Sequence, residues 1–277
     1  MNPSPVTKKT IFLSFTAAIY ICLLIFLNNV FDERTKIVFC NVGQGDAAYI
    51  RIKNRVDVLI DAGPDVRILS CLGKHMPFWD KKIELIFISH NQNDHFGGMN
   101  YLLDRYQIGY LYLVDDLNAS LQSFKRLKQK IIGKKIRIKN SSTGQQIVLL
   151  DDIFSLLWPS KNFISNNDND YSQVLLFQEN NFRVLFTGDA SPFILGRLSH
   201  GSIEKVDILK VPHHGSKNGL TKTFLDLADP NIAVISLDKN NSYGHPHRQV
   251  LDMIKAKNIK ILRTDNDGDI VLRIKRL

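Results

Sequence analysis

The sequence predicts an α/β domain in which two mixed sheets pack face to face and helices cover both outer surfaces, preceded by a transmembrane helix. Three observations lead there. From Lys36 onward, short runs rich in Val, Ile and Phe, punctuated by Gly and Asp, alternate with runs whose apolar residues recur every three or four positions. Both halves of this region carry strands and helices, yet neither closes its own helical cover, so the two sets of strands must cover each other. An uncharged apolar stretch, "IFLSFTAAIYICLLIFLNNVF", stands apart near the N-terminus.

That stretch, Ile11 to Phe31, is about long enough to cross a bilayer at ~1.5 Å per residue. Lys8 and Lys9 precede it, and Arg34 and Lys36 follow. A cleaved signal peptide needs a shorter apolar core and a small-x-small exit, which "FLNNVF" does not offer, and Tyr20 and Ile21 before Cys22 spoil a lipoprotein site. Residues 1–35 therefore read as an uncleaved, single-pass membrane anchor, and residues 36–277 as one domain on the extracytoplasmic side.

In the domain, "KIVFCNV", "AAYIRIK", "VDVLIDAG" and "ELIFISH" are expected strands, followed by helices over "GGMNYLLDRY" and "SLQSFKRLKQKI". A second set comprises strands "QIVLLDD", "IFSLLW", "SQVLLFQE" and "FRVLFTGD", then the helix "SPFILGRLS". Strands "VDILKVP", "IAVISL", "KILRTD" and "DIVLRIK" complete the chain, with helices "LTKTFLDLA" and "HRQVLDMIKAK" between them. The polar stretch Ser160 to Asp170 reads as a rim loop.

With 277 residues, 44% of them hydrophobic and 23% charged, the chain can bury a full core and is not disordered. Lys+Arg 36 against Asp+Glu 27 gives a net charge of +9, which favours an anionic partner, nucleic acid or a lipid headgroup, beside the plain reading of a Lys-rich solvated surface. Cys22, Cys40 and Cys71 show no metal-type spacing and allow at most one bridge.

The polar punctuation is the informative part. "NVGQGDA", "LIDAG", "ISHNQNDH", "LFTGDA" and "VPHHGS" each follow an apolar strand. Carboxylates and imidazoles delivered by several strand ends to one edge are what a metal cluster requires, because rigid strands make the ligands converge. One such loop is weak evidence, since a lone histidine at a strand end is usually a satisfied polar residue. Five in succession reverse those odds.

"SHNQNDHFGG" resembles the HxHxDH signature of the metallo-β-lactamase fold, and with "NVGQGDA", "LIDAG", "LFTGDA", "KVPHHGS", "SYGHPH" and "RTDNDG" it is similar to the C-terminal domain of ComEC competence proteins. The resemblance runs from about Lys36 to Leu277 and implies the αββα metallo-β-lactamase sandwich. ComEC proteins also carry a multi-spanning channel domain, whose place a single span takes here, so a separate channel protein is an implied partner.

The resemblance implies a metal set of His90, Gln92, Asp94 and His95 from the first loop, Asp189 bridging two ions, and His214, with His213 as the alternative. One or two divalent ions are implied, zinc by default for imidazole-rich ligation and manganese as the alternative. Where ComEC-like proteins usually have Asp, this chain has Gln92, a weaker neutral ligand, which puts the first metal position in doubt. Asp94, Asp189 and His245 are the catalytic candidates, His245 to protonate a leaving oxygen or hold a phosphate, against an equal reading as a loop histidine capping the helix that starts near Pro246. Asn169, Ser172, Tyr243 and Gly244 are implied substrate contacts, and Gln44, Asp46 and Asp61 are expected to orient metal ligands, against an equal reading of each as a turn residue.

Such a site performs hydrolysis. The favoured expectation is a membrane-anchored, metal-dependent phosphodiesterase or nuclease acting on DNA in uptake or processing. The alternatives are a hydrolase of a small ester, lactone or phosphocholine-type diester, and a DNA-binding protein in which Gln92 marks catalytic decay.

Overall fold

The computed structural model describes residues 8–30, 32–114, 122–198, 203 and 205–274. Of the expected elements, residues 1–7 and Phe31 of the anchor, Ser120 and Leu121, Ser199 and Lys275 lie outside these. Helix α1 covers Lys8–Val30, and its described side chains, Ile11, Phe12, Phe15 and Leu23 among them, are exposed. Among the described residues no helix is long and apolar enough to cross a membrane.

The domain opens with three antiparallel strands, β1 (Lys36–Phe39), β2 (Ala48–Ile52) and β3 (Val56–Ile60). Helix α2 (Arg67–His75) leads to β4 (Lys82–Phe87), two single helical turns α3 (Asn93–Phe96) and α4 (Met99–Leu102), and β5 (Gln107–Leu113). Helix α5 (Gln122–Gly133) then precedes β6 (Arg137–Asn140). The second sheet contains β7 (Gln146–Leu149), β8 (Asp152–Trp158), β9 (Val174–Glu179) and β10 (Phe182–Phe186). After helical turn α6 (Pro192–Leu195) come β11 (Ile208–Lys210), α7 (Lys222–Ala228), β12 (Ile232–Ile235), α8 (Arg248–Lys255) and β13 (Lys260–Arg263). A turn α9 (Thr264–Asp267) leads into β14 (Ile270–Arg273).

Two seven-stranded mixed sheets result, ordered β14-β1-β2-β3-β4-β5-β6 and β13-β12-β11-β10-β9-β8-β7. Their facing sides bury alternate residues of each strand, Phe39, Ile50, Val58 and Phe87 against Phe154, Leu175, Phe177 and Val184. The intervening residues point outward: Val38, Leu59, Ile86 and Leu111 pack under α2 and α5, and Leu185, Leu209 and Ala233 under α7 and α8. Strands buried on both faces read as continuous apolar runs, which is why they were visible in the sequence.

Several expectations change. The last strand does not stay with the second set but crosses back to pair β14 with β1. The helix expected over "GGMNYLLDRY" is cut to the single turn α4, and "SPFILGRLS" to α6, which Ser191 caps by accepting the Ile194 amide. Helix α2 and strands β5 and β6 were not anticipated: α2 buries only Ile68, Cys71 and Leu72, and all four residues of β6 are exposed, so neither carries a strong apolar period. Cys40, just after β1, is bridged to Cys71 of α2, within the limit of one bridge that three cysteines set.

Strands β3 to β6 run parallel, as do β10 to β13. Their C-terminal ends, and that of β1, therefore gather the five polar loops at one edge.

Candidate metal centre

The loop after β3 provides Asp61, held at φ +58° with its amide bonded to the Phe87 carbonyl at 2.8 Å. Its carboxylate accepts from the Ser89 amide at 2.7 Å and the Ser89 hydroxyl at 2.8 Å, and lies 2.8 Å from His95 Nδ1. Asp61 thus fixes the His95 ring and points its Nε2 into the site, the arrangement usual for a metal-ligating imidazole. His90 is turned by the same hydroxyl, with its Nδ1 3.0 Å from Ser89 Oγ.

From the other sheet, Asp189 follows β10 in "TGD". Gly188 adopts φ +49°, where a Cβ would lie 2.8 Å from that of Ser89, so the two loops touch only because this residue is glycine. The Asp189 amide donates to Ser172 Oγ at 3.1 Å. After β11, His213 and His214 both take left-handed backbone, φ +51° and +52°, followed by Gly215 at +77°. Non-glycine residues pay about 1–2 kcal/mol each for that conformation. It turns both adjacent rings toward Asp189: His214 Nε2 lies 3.3 Å from Asp94 Oδ2 and 3.7 Å from Asp189 Oδ1, and His213 Nε2 3.7 Å from Asp189 Oδ2. His214 is the buried one.

Asp94, His95, Asp189 and His214 offer ligand atoms all within 4.8 Å of one another. Among the described residues the buried atoms His90 Nε2, His95 Nε2 and Asp189 Oδ1 have no hydrogen-bond partner, with His95 Nε2 facing Asp189 Oδ1 at 3.3 Å. Buried polar atoms are rarely left so, and orphaned imidazole nitrogens converging on an orphaned carboxylate oxygen fit a divalent cation. Electrostatics agree. Burial would push the imidazoles down, yet the carboxylates of Asp189, Asp61 and Asp94 hold His95 well above its usual range, and Asp189 with Asp46 raises His214 to about 10. Burial pushes Asp189 up, but His214 and His95 carry it well below the carboxylate range. Protons on imidazoles stand where a cation belongs, and a metal would displace them. His90, farther from the carboxylates, is pushed down to about 4 by burial and His95.

Asp46 lies behind His214, with Oδ1 3.3 Å from its Nδ1, while the Ser236 carbonyl is 3.0 Å from the same nitrogen. The Ser236 contact is the shorter and orients the ring; Asp46 adds charge. Gln44 accepts from the Asp238 amide at 3.3 Å and, among the described residues, hydrogen-bonds to no metal candidate, so it braces the loop where it was expected to orient a ligand. Gln92 donates Nε2 to Asn169 Oδ1 at 2.9 Å, and Asn169 Nδ2 lies 3.4 Å from His213 Nδ1. Ser172, expected to meet substrate, is fully buried and holds the Asp189 backbone instead. At the rim, Tyr243 is exposed and stacked on the His245 ring at 5.6 Å, beside Gly244 at φ +71° in open space. Burial and the rings of His214, His213 and His247 lower His245 to about 4, so it is neutral at neutral pH and accepts a proton before it can donate one.

Two residues escaped the sequence reading. Ser89 is the hydroxyl shared by Asp61, His90 and His95, and nothing in a single serine before a histidine announces that. Lys210 is buried, with Nζ 2.8 Å from Asp46 Oδ2. A lysine ending the apolar run "VDILK" was the available signal, because a buried cation needs a buried anion.

The αββα sandwich and this ligand set define a metal-dependent hydrolase. The Metallo-beta-lactamase superfamily model matches residues 40–238, and the chain belongs to that superfamily. Among curated relatives it is 28% identical to "ComE operon protein 3" of Bacillus subtilis (strain 168) over 92% of this chain and 35% of that protein. It is also 28% identical to "Recombination protein 2" of Haemophilus influenzae over 91% of this chain and 30% of that protein. The chain thus spans about a third of the length of the curated relatives it matches. In fold it is similar to the metallo-beta-lactamase fold protein YhfI of Bacillus subtilis, with a TM-score of 0.59 and 14% identity over 87% of this chain and 100% of that one.

Proposed function

We propose that this chain is a membrane-anchored, metal-dependent phosphodiesterase acting on DNA. The observation that carries the catalytic part is the convergence of unpartnered His90 Nε2, His95 Nε2 and Asp189 Oδ1 with Asp94 and His214. His95, Asp94, Asp189 and His214 would hold one ion, and His90 with Asp189 a second, weaker one, of zinc or manganese. Bound there, such ions supply Lewis acidity toward a phosphoryl oxygen and lower the pKa of water. The chain's residues do the rest: Asp61 and Ser89 hold the imidazoles in place, Asn169 and His213 border the reacting centre, and His245 takes or relays a proton at the rim. The net charge of +9 and relatives named for recombination and a ComE operon support a DNA substrate.

The membrane part rests on other observations. Helix α1 presents exposed apolar side chains along its described length. Lys36, where β1 begins, donates to the His75 carbonyl. That contact brings the chain's exit from α1 beside the loop of Phe78 and Trp79, an exposed edge-to-face pair flanked by Lys74, Lys81 and Lys82. Aromatic rings with lysines suit a lipid headgroup region. The Cys40–Cys71 bridge fits an oxidising, extracytoplasmic compartment, and a separate channel protein is the proposed partner there.

The test is metal analysis of the purified full chain, followed by assays on single- and double-stranded DNA and on bis(p-nitrophenyl) phosphate, with and without manganese or zinc. Wild type should cleave DNA, and Asp189→Ala should abolish hydrolysis and halve bound metal. No cleavage of any phosphodiester at any metal concentration refutes the reading. Release of the chain from membranes by alkaline washing refutes the anchor alone.

A further inference from the structure

We infer that the open edge of the sandwich, between β5–β6 and β7, is a binding groove for single-stranded nucleic acid that leads to the metal centre. This rests on the DNA reading above and names the form of the strand and its path. Strand β5 alternates "QIGYLYL": Leu111 and Leu113 point outward beneath α5, and Tyr110 and Tyr112 point to the inner face. Each tyrosine has a cation as its register partner on β6, Tyr110 opposite Arg137 and Tyr112 opposite Lys139. One strand further in, the same inner positions are Leu85 and Phe87 of the inter-sheet core. The inner face therefore changes from aliphatic and phenyl groups to tyrosines and then to cations where the second sheet stops covering it.

A cavity of about 600 Å³ lies there, lined by Tyr110, Tyr112, Lys82, Lys135, Arg137 and Lys139, with Ile147 and Leu149 of β7 as its far wall. Lys82 is paired with Glu84 at 3.1 Å. Among the described residues no carboxylate pairs with Lys135, Arg137 or Lys139. Arg137 and Lys139 hang over the Tyr110 ring, at 5.3 and 5.9 Å from its centroid, and Arg137 donates to its hydroxyl at 2.9 Å. Lysines on an edge strand also guard against sheet-to-sheet pairing. That explains β6; Tyr112 stacks on Phe87 of the core with ring centroids 4.9 Å apart, yet both tyrosines stay half-buried and line the cavity.

Unpaired cations beside aromatic faces are the means by which proteins hold single strands, with phosphates on the cations and bases on the rings. Residues two apart on a strand lie about 6.7 Å from each other, about twice the 3.4 Å rise per nucleotide of a duplex strand. Tyr110 and Tyr112 therefore suit a stretched single strand and not stacked pairs. Next along the same two strands, past Leu113 and Lys139, a second cavity of about 580 Å³ is lined by Val114, Asn140, Ser141 and Tyr171. Tyr171 closes the helical turn that carries Asn169, the partner of Gln92. A strand lying in both cavities arrives at the rim of the metal centre.

The experiment uses the full chain in detergent and EDTA, so that binding is read without cleavage, by the fluorescence anisotropy of a labelled oligothymidylate. Arg137→Gln/Lys139→Gln should weaken binding at least about tenfold and lower the salt slope by about 1.4, two phosphate contacts at about 0.7 each. Tyr110→Leu/Tyr112→Leu should weaken it at least about fivefold with the salt slope unchanged. Both should keep the wild-type melting temperature and, with manganese restored, the wild-type rate on bis(p-nitrophenyl) phosphate. Oligonucleotide binding unaltered in both variants overturns the groove while leaving the phosphodiesterase reading intact. Absence of cleavage of both DNA and the small diester by wild type overturns that reading and not this one. Variants that lose affinity for phosphatidylglycerol vesicles but not for the oligonucleotide make the patch a lipid contact and overturn the inference.

Discussion

Replacing Lys210 by Met tests the electrostatics behind His214. Lys210 is 4% exposed, and its ammonium meets Asp46 Oδ2 at 2.8 Å and the Val211 carbonyl at 3.1 Å. Burial pushes the Asp46 carboxyl up, but Lys210 and His214 together carry it below its usual range, so Asp46 is ionised in the fold. Methionine preserves the stem and its packing but leaves that carboxylate facing His214 alone. Removing one partner of a buried pair costs about 3–5 kcal/mol. His214 still offers Asp46 a positive charge, so the lower end, about 3 kcal/mol, is expected. At about 2–4 °C per kcal/mol for a domain of this size, the melting temperature should fall by about 6–12 °C. Adding Asp46→Asn removes the stranded charge, so Lys210→Met/Asp46→Asn should recover at least half of the loss, a coupling a double-mutant cycle measures by thermal and urea denaturation. If Lys210→Met costs less than about 1 kcal/mol, or the two substitutions simply add, the pair is not what holds this side of the site.

Gln92→Asp removes the amide that donates to Asn169 and places a carboxylate beside His90, so metal should saturate activity at lower concentration, read by titrating manganese in the diesterase assay. An unchanged titration would place residue 92 outside the site. Asp152 is raised to about 6 by burial and by Glu179, so the fold favours its protonated form. Stability from this group is present below about pH 4 and is lost as pH rises through 6; Asp152→Asn should therefore stabilise by about 2 kcal/mol at pH 8 and by nothing at pH 4 in urea melts. The Cys40–Cys71 bridge closes a loop of sequence separation 31, so Cys40→Ala/Cys71→Ala should cost about 3–4 kcal/mol by loop entropy, with an equal effect of dithiothreitol on wild type. A variant as stable as wild type would mean the bridge does not persist in solution.

The order and chemistry of the strand-end loops were legible in the sequence because they are local. An apolar run followed by "DAG", "TGD" or "PHHGS" announces both the strand and the turn that ends it, and strands covered on two faces show as unbroken apolar runs. Those runs placed Asp61, Asp94, His95, Asp189 and His214 at strand ends before any contact was known. What escaped has little periodicity of its own: α2 with three buried residues, β6 with none, and β14, whose sheet depends on a partner 233 positions away, Val38 opposite Val271. Tertiary structure alone decided which imidazole is buried, because adjacent histidines are equivalent in a string; both face Asp189, but His214 is enclosed against Ser236 and Asp46 while His213 stays nearer the rim. It alone turned Ser172 from the substrate to the Asp189 amide, Gln92 toward Asn169 and Lys210 toward Asp46. Residue types and their local spacing determine what a loop can ligate; the direction of each donor is set by atoms of the other sheet, which no local pattern encodes.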